Sequence, residues 1–175
     1  QFHVLQFTWA DDNKICHNKN KAQKMEIKYA ALPIIRKPNV SVGSLLTVFT
    51  SSGKIKKYIR ENNIDTVMPR STFPAMMVNQ IKHKNFKVIF DADGLPIEER
   101  VDFAGLKTDS FQYKLMKSAE TKMLNSADAV ITRSDKAIDV HINNIGEANR
   151  HKFSVVFNGR DKNLFKLNDD SRVAA

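Results

Sequence analysis

The stretch of this chain best equipped for chemistry is residues 86–99, FKVIFDADGLPIEE. Its apolar half, Phe86, Val88, Ile89 and Phe90, is rich in β-favouring types and stops abruptly at Asp91-Ala92-Asp93-Gly94. Two carboxylates just past the carboxyl end of a buried strand stand where an open α/β sheet keeps its ligands. Carboxylates so placed can exchange a proton with a bound group, or share a cation with a phosphate. Gly94 lets the backbone turn sharply and lets a ligand come close. Pro96 suits the first turn of a following helix, which puts Glu98 and Glu99 at its positive N-terminal end. That placement also gives both glutamates a purely structural use, as complements to the helix dipole.

Three further strand ends carry polar groups. They are Arg70-Ser71, Arg133-Ser134 and Asn158-Gly159. An arginine fork holds carboxylate or phosphate oxygens two at a time. The elements that position these groups follow from hydrophobic spacing. Strands are predicted at residues 2–7, 26–32, 64–68, 86–90, 127–132 and 153–157. A helix capped by Ser44 carries Leu45, Val48, Phe49, Ile55, Tyr58 and Ile59 largely on one face, with Gly53 weakening its middle. A second helix over 74–84 holds Met76, Met77, Val78 and Ile81, with the methionine pair in the core. A third, capped by Asp109 and running to about 125, stacks Phe111, Leu115, Ala119 and Met123. A fourth, capped by Ser134 or Asp135, holds Ala137, Ile138, His141 and Ile142, where His141 reads as a surface or packing residue. Residues 11–24 read as a polar, lysine-rich loop, and 39–43 as loop. Strands alternating with helices predict an α/β fold, Rossmann-like and doubly wound, with a mainly parallel sheet. In such a sheet the tips from residue 64 onward share one edge.

At 175 residues the chain can build a substantial core. No apolar run reaches the roughly 20 residues needed to span a bilayer, and no signal peptide opens the sequence. The single cysteine, Cys16, leaves no intramolecular disulfide, so a reducing compartment is expected. Cys16 and His17 are too isolated for a zinc site. The net charge of +9 is uneven: residues 1–90 hold 15 Lys and Arg against 5 Asp and Glu, whereas residues 91–175 hold 13 against 14. A basic half can face anionic lipid or a phosphorylated substrate. The lysines are scattered, without the aromatic interleaving of a nucleic-acid surface, so no nucleic-acid partner is expected.

Asp91-x-Asp93-Gly94 after a hydrophobic strand resembles the motif of haloacid dehalogenase-type phosphatases. There the first Asp is the nucleophile and the second the general acid/base, beside a magnesium ion. Val130-Ile131-Thr132 and Asp169-Asp170 would then supply later motifs. The position of the stretch halfway along the chain, the Leu95-Pro96 that follows it, and the absence of a strand before Asp169 depart from that pattern.

A longer, ordered set of motifs resembles the N-terminal domain of family 4 glycosyltransferases of the GT-B type. Ala127-Asp128-Ala129-Val130-Ile131-Thr132-Arg133-Ser134 is similar to the family's strand before a helix. Val156-Phe157-Asn158-Gly159-Arg160-Asp161, ending at Phe165, is similar to the lead into its second domain. Met68-Pro69-Arg70-Ser71 with Pro74-Ala75, and Asp91-Ala92-Asp93-Gly94 through Pro96 to Glu98-Glu99, resemble two motifs of a bacterial subgroup. Asp93 in place of an arginine, Pro69 in place of a small residue and Arg160 in place of an apolar one are departures.

The resemblance implies transfer of a sugar from a nucleotide sugar to a glycan or lipid-linked acceptor, with no cofactor and no bound metal. It implies Asp91 and then Asp93 as acceptor contact or base. Arg70, Ser71, Gly94, Glu98, Glu99, Arg133 and Ser134 would bind acceptor or phosphate, and Asn158, Gly159 and Asp161 would form an interdomain hinge. It further implies a cytoplasmic protein in peripheral contact with the plasma membrane. Residues 1–166 would form the acceptor-side domain without its first strand. Residues 167–175 would begin a linker to a donor domain outside this sequence. A non-catalytic relative of the same fold is the remaining alternative.

Overall fold

The computed structural model describes residues 1–157 and 159, apart from the side chain of Ser41. The chain divides into two compact units, Gln1–Tyr58 and Ile59–Ala175. It is α/β and Rossmann-like, and its sheets are parallel.

The first unit opens with a β-α-β step: β1 (His3–Thr8), α1 (Asp12–Lys24) and β2 (Lys28–Pro33). The strands pair in parallel, with Leu5 opposite Ala30. Residues 12–24 of the expected 11–24 loop form a helix. The Asp11 carboxylate caps it by accepting from the Lys14 N–H at 2.8 Å, and Lys21 and Lys24 suit its negative end. None of its residues is buried, so it carries no apolar stripe that periodicity could detect.

Next comes α2 (Val40–Thr50), which starts four residues before the expected cap at Ser44. Asn39 caps it, accepting from the Val42 N–H at 3.0 Å. Gly43 lies within the helix, and a side chain there is excluded because a Cβ would fall on the Ile35 carbonyl oxygen. The Thr47 hydroxyl fixes that approach, accepting from the Ile35 N–H at 2.8 Å and donating to the Gly43 carbonyl at 2.9 Å. The predicted single helix then breaks at Ser51, and α3 (Ser52–Glu61) leads into the second unit.

That unit comprises β3 (Thr66–Val67), α4 (Thr72–Asn79), β4 (Lys87–Asp91), α5 (Pro96–Ala104), α6 (Phe111–Ser126), β5 (Ala129–Thr132), α7 (Asp135–Ile145), a 3-10 turn (Glu147–Lys152) and β6 (Phe153–Val155). Its strands lie in the order β3-β4-β5-β6, all parallel. In this strand order α4 packs on α6 and α6 on α7, the one-face arrangement expected of right-handed crossovers advancing in one direction. Val88, Phe90 and Val130 point into that face and meet Ala75, Val78, Met123 and Leu124. Met76 and Met77 are buried, as expected. Two ends differ from expectation: Ser110 and not Asp109 caps α6, accepting from the Tyr113 N–H at 3.2 Å, and α4 stops at Asn79. Among the described residues no helix is long and apolar enough to cross a membrane.

Candidate functional site

Backbone hydrogen bonds stitch the strand tips of the second unit together. Past β3, the Asp91 N–H donates to the Pro69 carbonyl at 3.0 Å and the Ser71 N–H to the Asp91 carbonyl at 2.9 Å, so the β3–β4 pairing resumes at Arg70. The Ala92 N–H reaches the Ile131 carbonyl of β5 at 3.0 Å. These bonds bring Arg70, Asp91, Asp93 and Arg133, from three strand tips, into one cluster.

Asp93 is its centre. Arg70 donates to Asp93 from Nη2 at 2.9 Å and from Nε at 3.2 Å, and Arg133 from Nη2 at 2.8 Å and from Nε at 3.3 Å. Asp91 is buried (5% exposed), and its Oδ1 accepts the Asp93 N–H at 3.1 Å. Its Oδ2 lies 3.7 Å from Arg70 Nε and 3.8 Å from Arg133 Nη2. The hydrogen bond from Asp93 N to Asp91 makes an Asx-type turn, which explains a left-handed aspartate with φ 51° followed by Gly94 at φ 85°. Arg133 also reaches the residue just past β6, donating from Nη1 to the Val156 carbonyl at 3.5 Å. Two guanidiniums and two carboxylates balance to zero. The hydrogen bonds from Arg70 and then Arg133 hold the Asp93 carboxyl below its ordinary range against the opposing effect of burial, so it stays ionised at neutral pH.

A second polar cluster lies behind the tip. Lys117 of α6 pairs with Glu98, in the first turn of α5, and with Glu120 at 2.7 Å. Glu120 is 2% exposed. Burial works against the Lys117 charge, but the bonds to Glu120 and Glu98 outweigh it and raise the ammonium above its ordinary range. His141 of α7 is wholly buried, stacks on Phe153 and places Nε2 3.3 Å from the Gly94 carbonyl. Because a carbonyl only accepts, the hydrogen of this contact sits on Nε2. Desolvation lowers the His141 pKa despite the attraction of Glu120. The tip is thus held from α7 through Gly94, and from α6 through Glu98.

The remaining expected residues fall as follows. Ser71 sits at φ 66° at the start of α4 and makes no side-chain cap. Ser134 caps α7, accepting from the Ala137 N–H at 3.2 Å. Glu99 and Gly159 are exposed, and Asn158 and Asp161 lie outside the described residues. Lys117 and Glu120 were missed, although their i, i+3 spacing opposite Glu98 was a usable signal. Among the described residues, no three His, Cys, Asp or Glu side chains group to hold a metal ion. No protein-family model and no curated protein sequence matches this chain.

The cluster suits one task and not another. Its solvent edge, formed by the half-exposed Arg70 and Asp93, offers donors and an acceptor on a rigid frame to a hydroxyl-bearing ligand. It is poorly suited to proton abstraction, since Asp93 is held ionised by four hydrogen bonds and Asp91 is buried beneath it.

Proposed function

We propose that this chain is the acceptor-side domain of a glycosyltransferase that moves a sugar from a nucleotide sugar to a glycan or lipid-linked acceptor. The observation that carries the reading is the joining of three strand tips through Asp93. The residues that resemble glycosyltransferase motifs at 68–71, 91–99 and 127–134 come together at one edge of a parallel sheet. Catalysis there would be by positioning: Arg70 and Asp93 orient an acceptor hydroxyl, and Asp91 fixes Asp93. The same quartet argues against the phosphatase alternative, in which Asp91 would be a free nucleophile. Here one of its oxygens accepts a backbone N–H, and the other faces two guanidiniums.

Peripheral contact with an anionic membrane on the cytoplasmic side belongs to the same reading. It is supported by α2, an uncharged helix that exposes Val42, Leu46 and Phe49 at i, i+4, i+7 spacing, and by exposed Lys54 and Lys56 just after it.

The test is a transfer assay of the full-length gene product with a panel of labelled nucleotide sugars and lipid or glycan acceptors. Transfer is expected, and Arg133→Ala should raise the acceptor KM by about tenfold or more while the variant stays folded. No transfer across the panel, together with magnesium-dependent phosphate release that Asp91→Asn abolishes, would replace this reading with the phosphatase.

A further inference from the structure

Arg70 and Arg133 converge on a single small group from two strand tips, each through Nε and Nη2. Two forks aimed at one point form the arrangement that recognises a phosphate. In this protein the point is taken by a carboxylate of the chain itself. We propose that Asp93 is a built-in occupant of a two-arginine anion site, and that it makes the tip reject phosphorylated ligands in favour of neutral, hydroxyl-bearing ones.

Three features support this. Charge comes first: with Asp93 and Asp91 present the quartet is neutral, so an incoming dianion meets no net attraction. Space is second, because all four guanidinium N–H groups directed inward are already bonded to Asp93. Backbone is third: Asp93 and Gly94 both hold positive φ, and the Asx bond to Asp91 with the His141 contact to Gly94 locks that conformation. Swinging the Asp93 carboxylate out would break four charge-assisted bonds, and the locked backbone keeps Asp93 itself at the tip. The inference deepens the proposed function, resting on the tips being the acceptor-facing edge. Anion binding can be measured without any transfer, so the two fail separately.

Titration calorimetry with inorganic pyrophosphate tests it. The native chain should bind weakly or not at all. Asp93→Asn and Asp93→Ser, each checked by circular dichroism, should bind at least about tenfold more tightly than the native chain. Arg133→Lys added to Asp93→Asn should erase the gain, because an ammonium cannot reproduce the fork. A measurement on the native chain needs no variant: the Arg70 and Arg133 Nε–H resonances should stay in place as pyrophosphate is added. Equal binding by native and Asp93→Asn chains, no gain in either Asp93 variant, a gain that survives Arg133→Lys, or movement of both native arginine signals would each overturn the proposal.

Discussion

Lys117 is the residue whose loss should be felt most. It is 16% exposed and is the shared cation of two carboxylates, Glu120 at 2% and Glu98 at 27% exposed. Lys117→Met keeps most of the apolar stem and removes the charge. The two glutamates are then left without their cation, with Glu120 fully desolvated. Removing one partner of a buried ion pair destabilises by about 3–5 kcal/mol, and the partial exposure of Glu98 argues for the lower half of that range. Against a typical domain stability of about 5–15 kcal/mol this is a large fraction. Urea denaturation followed by circular dichroism should show it as a lower midpoint with an unchanged slope. The decisive companion is the triple variant Lys117→Met, Glu98→Gln, Glu120→Gln. With all three charges gone it should recover more than half of the loss, since replacing a whole buried ionic group is far less damaging than halving it. A Lys117→Met loss below about 1 kcal/mol, or a triple variant as unstable as the sum of its parts, would refute the reasoning. The native cluster has a matching pH signature. The folded Lys117 pKa is raised, so its contribution is full below the unfolded lysine value near 10.4 and is lost only as pH climbs through the higher folded value.

His141 gives the opposite dependence. Its folded pKa is lowered by desolvation, with Glu120, Glu98 and Lys117 as the facing charges, so the unfolded chain takes up a proton first as pH falls below about 6.5. Native stability should therefore decline from pH 7.5 to pH 5.5, and His141→Gln should lack that part of the decline; identical pH profiles for the two chains would count against it. Gly43→Ala puts a Cβ onto the Ile35 carbonyl, and the clash should outweigh the roughly 1 kcal/mol of helix propensity gained, for a net loss on the order of 1–3 kcal/mol in a thermal melt. Gly53→Ala, with open space around it, should leave the protein equally or slightly more stable.

What the sequence revealed and what it hid divide along a physical line. The strands around Val88–Phe90 and Val130–Thr132 were legible because a buried parallel strand must be apolar along its whole length. The convergence of their tips followed from the βαβ alternation alone. The helix α1 was hidden because it buries nothing, and the start of α2 because Asn39 and Gly43 carry loop propensities that a cap and a close backbone approach turn to helical use. Partner choice was hidden for a different reason. Asp93 looked like a charge reversal at a position where the motif that this stretch resembles places arginine. In the fold it neutralises two arginines that the chain brings from 23 residues before it and 40 after. Asp93 hydrogen-bonds both arginines, and Asp91 stands behind it at 3.7 and 3.8 Å. The left-handed turn at Asp93 swings its side chain outward, while Asp91 folds back to accept the Asp93 N–H. Spacing places charges at an edge, but a turn of this kind decides whether they remain available to a ligand or are spent on each other. At this tip they are spent on each other, so what the tip presents outward is the edge of a completed salt-bridge cluster.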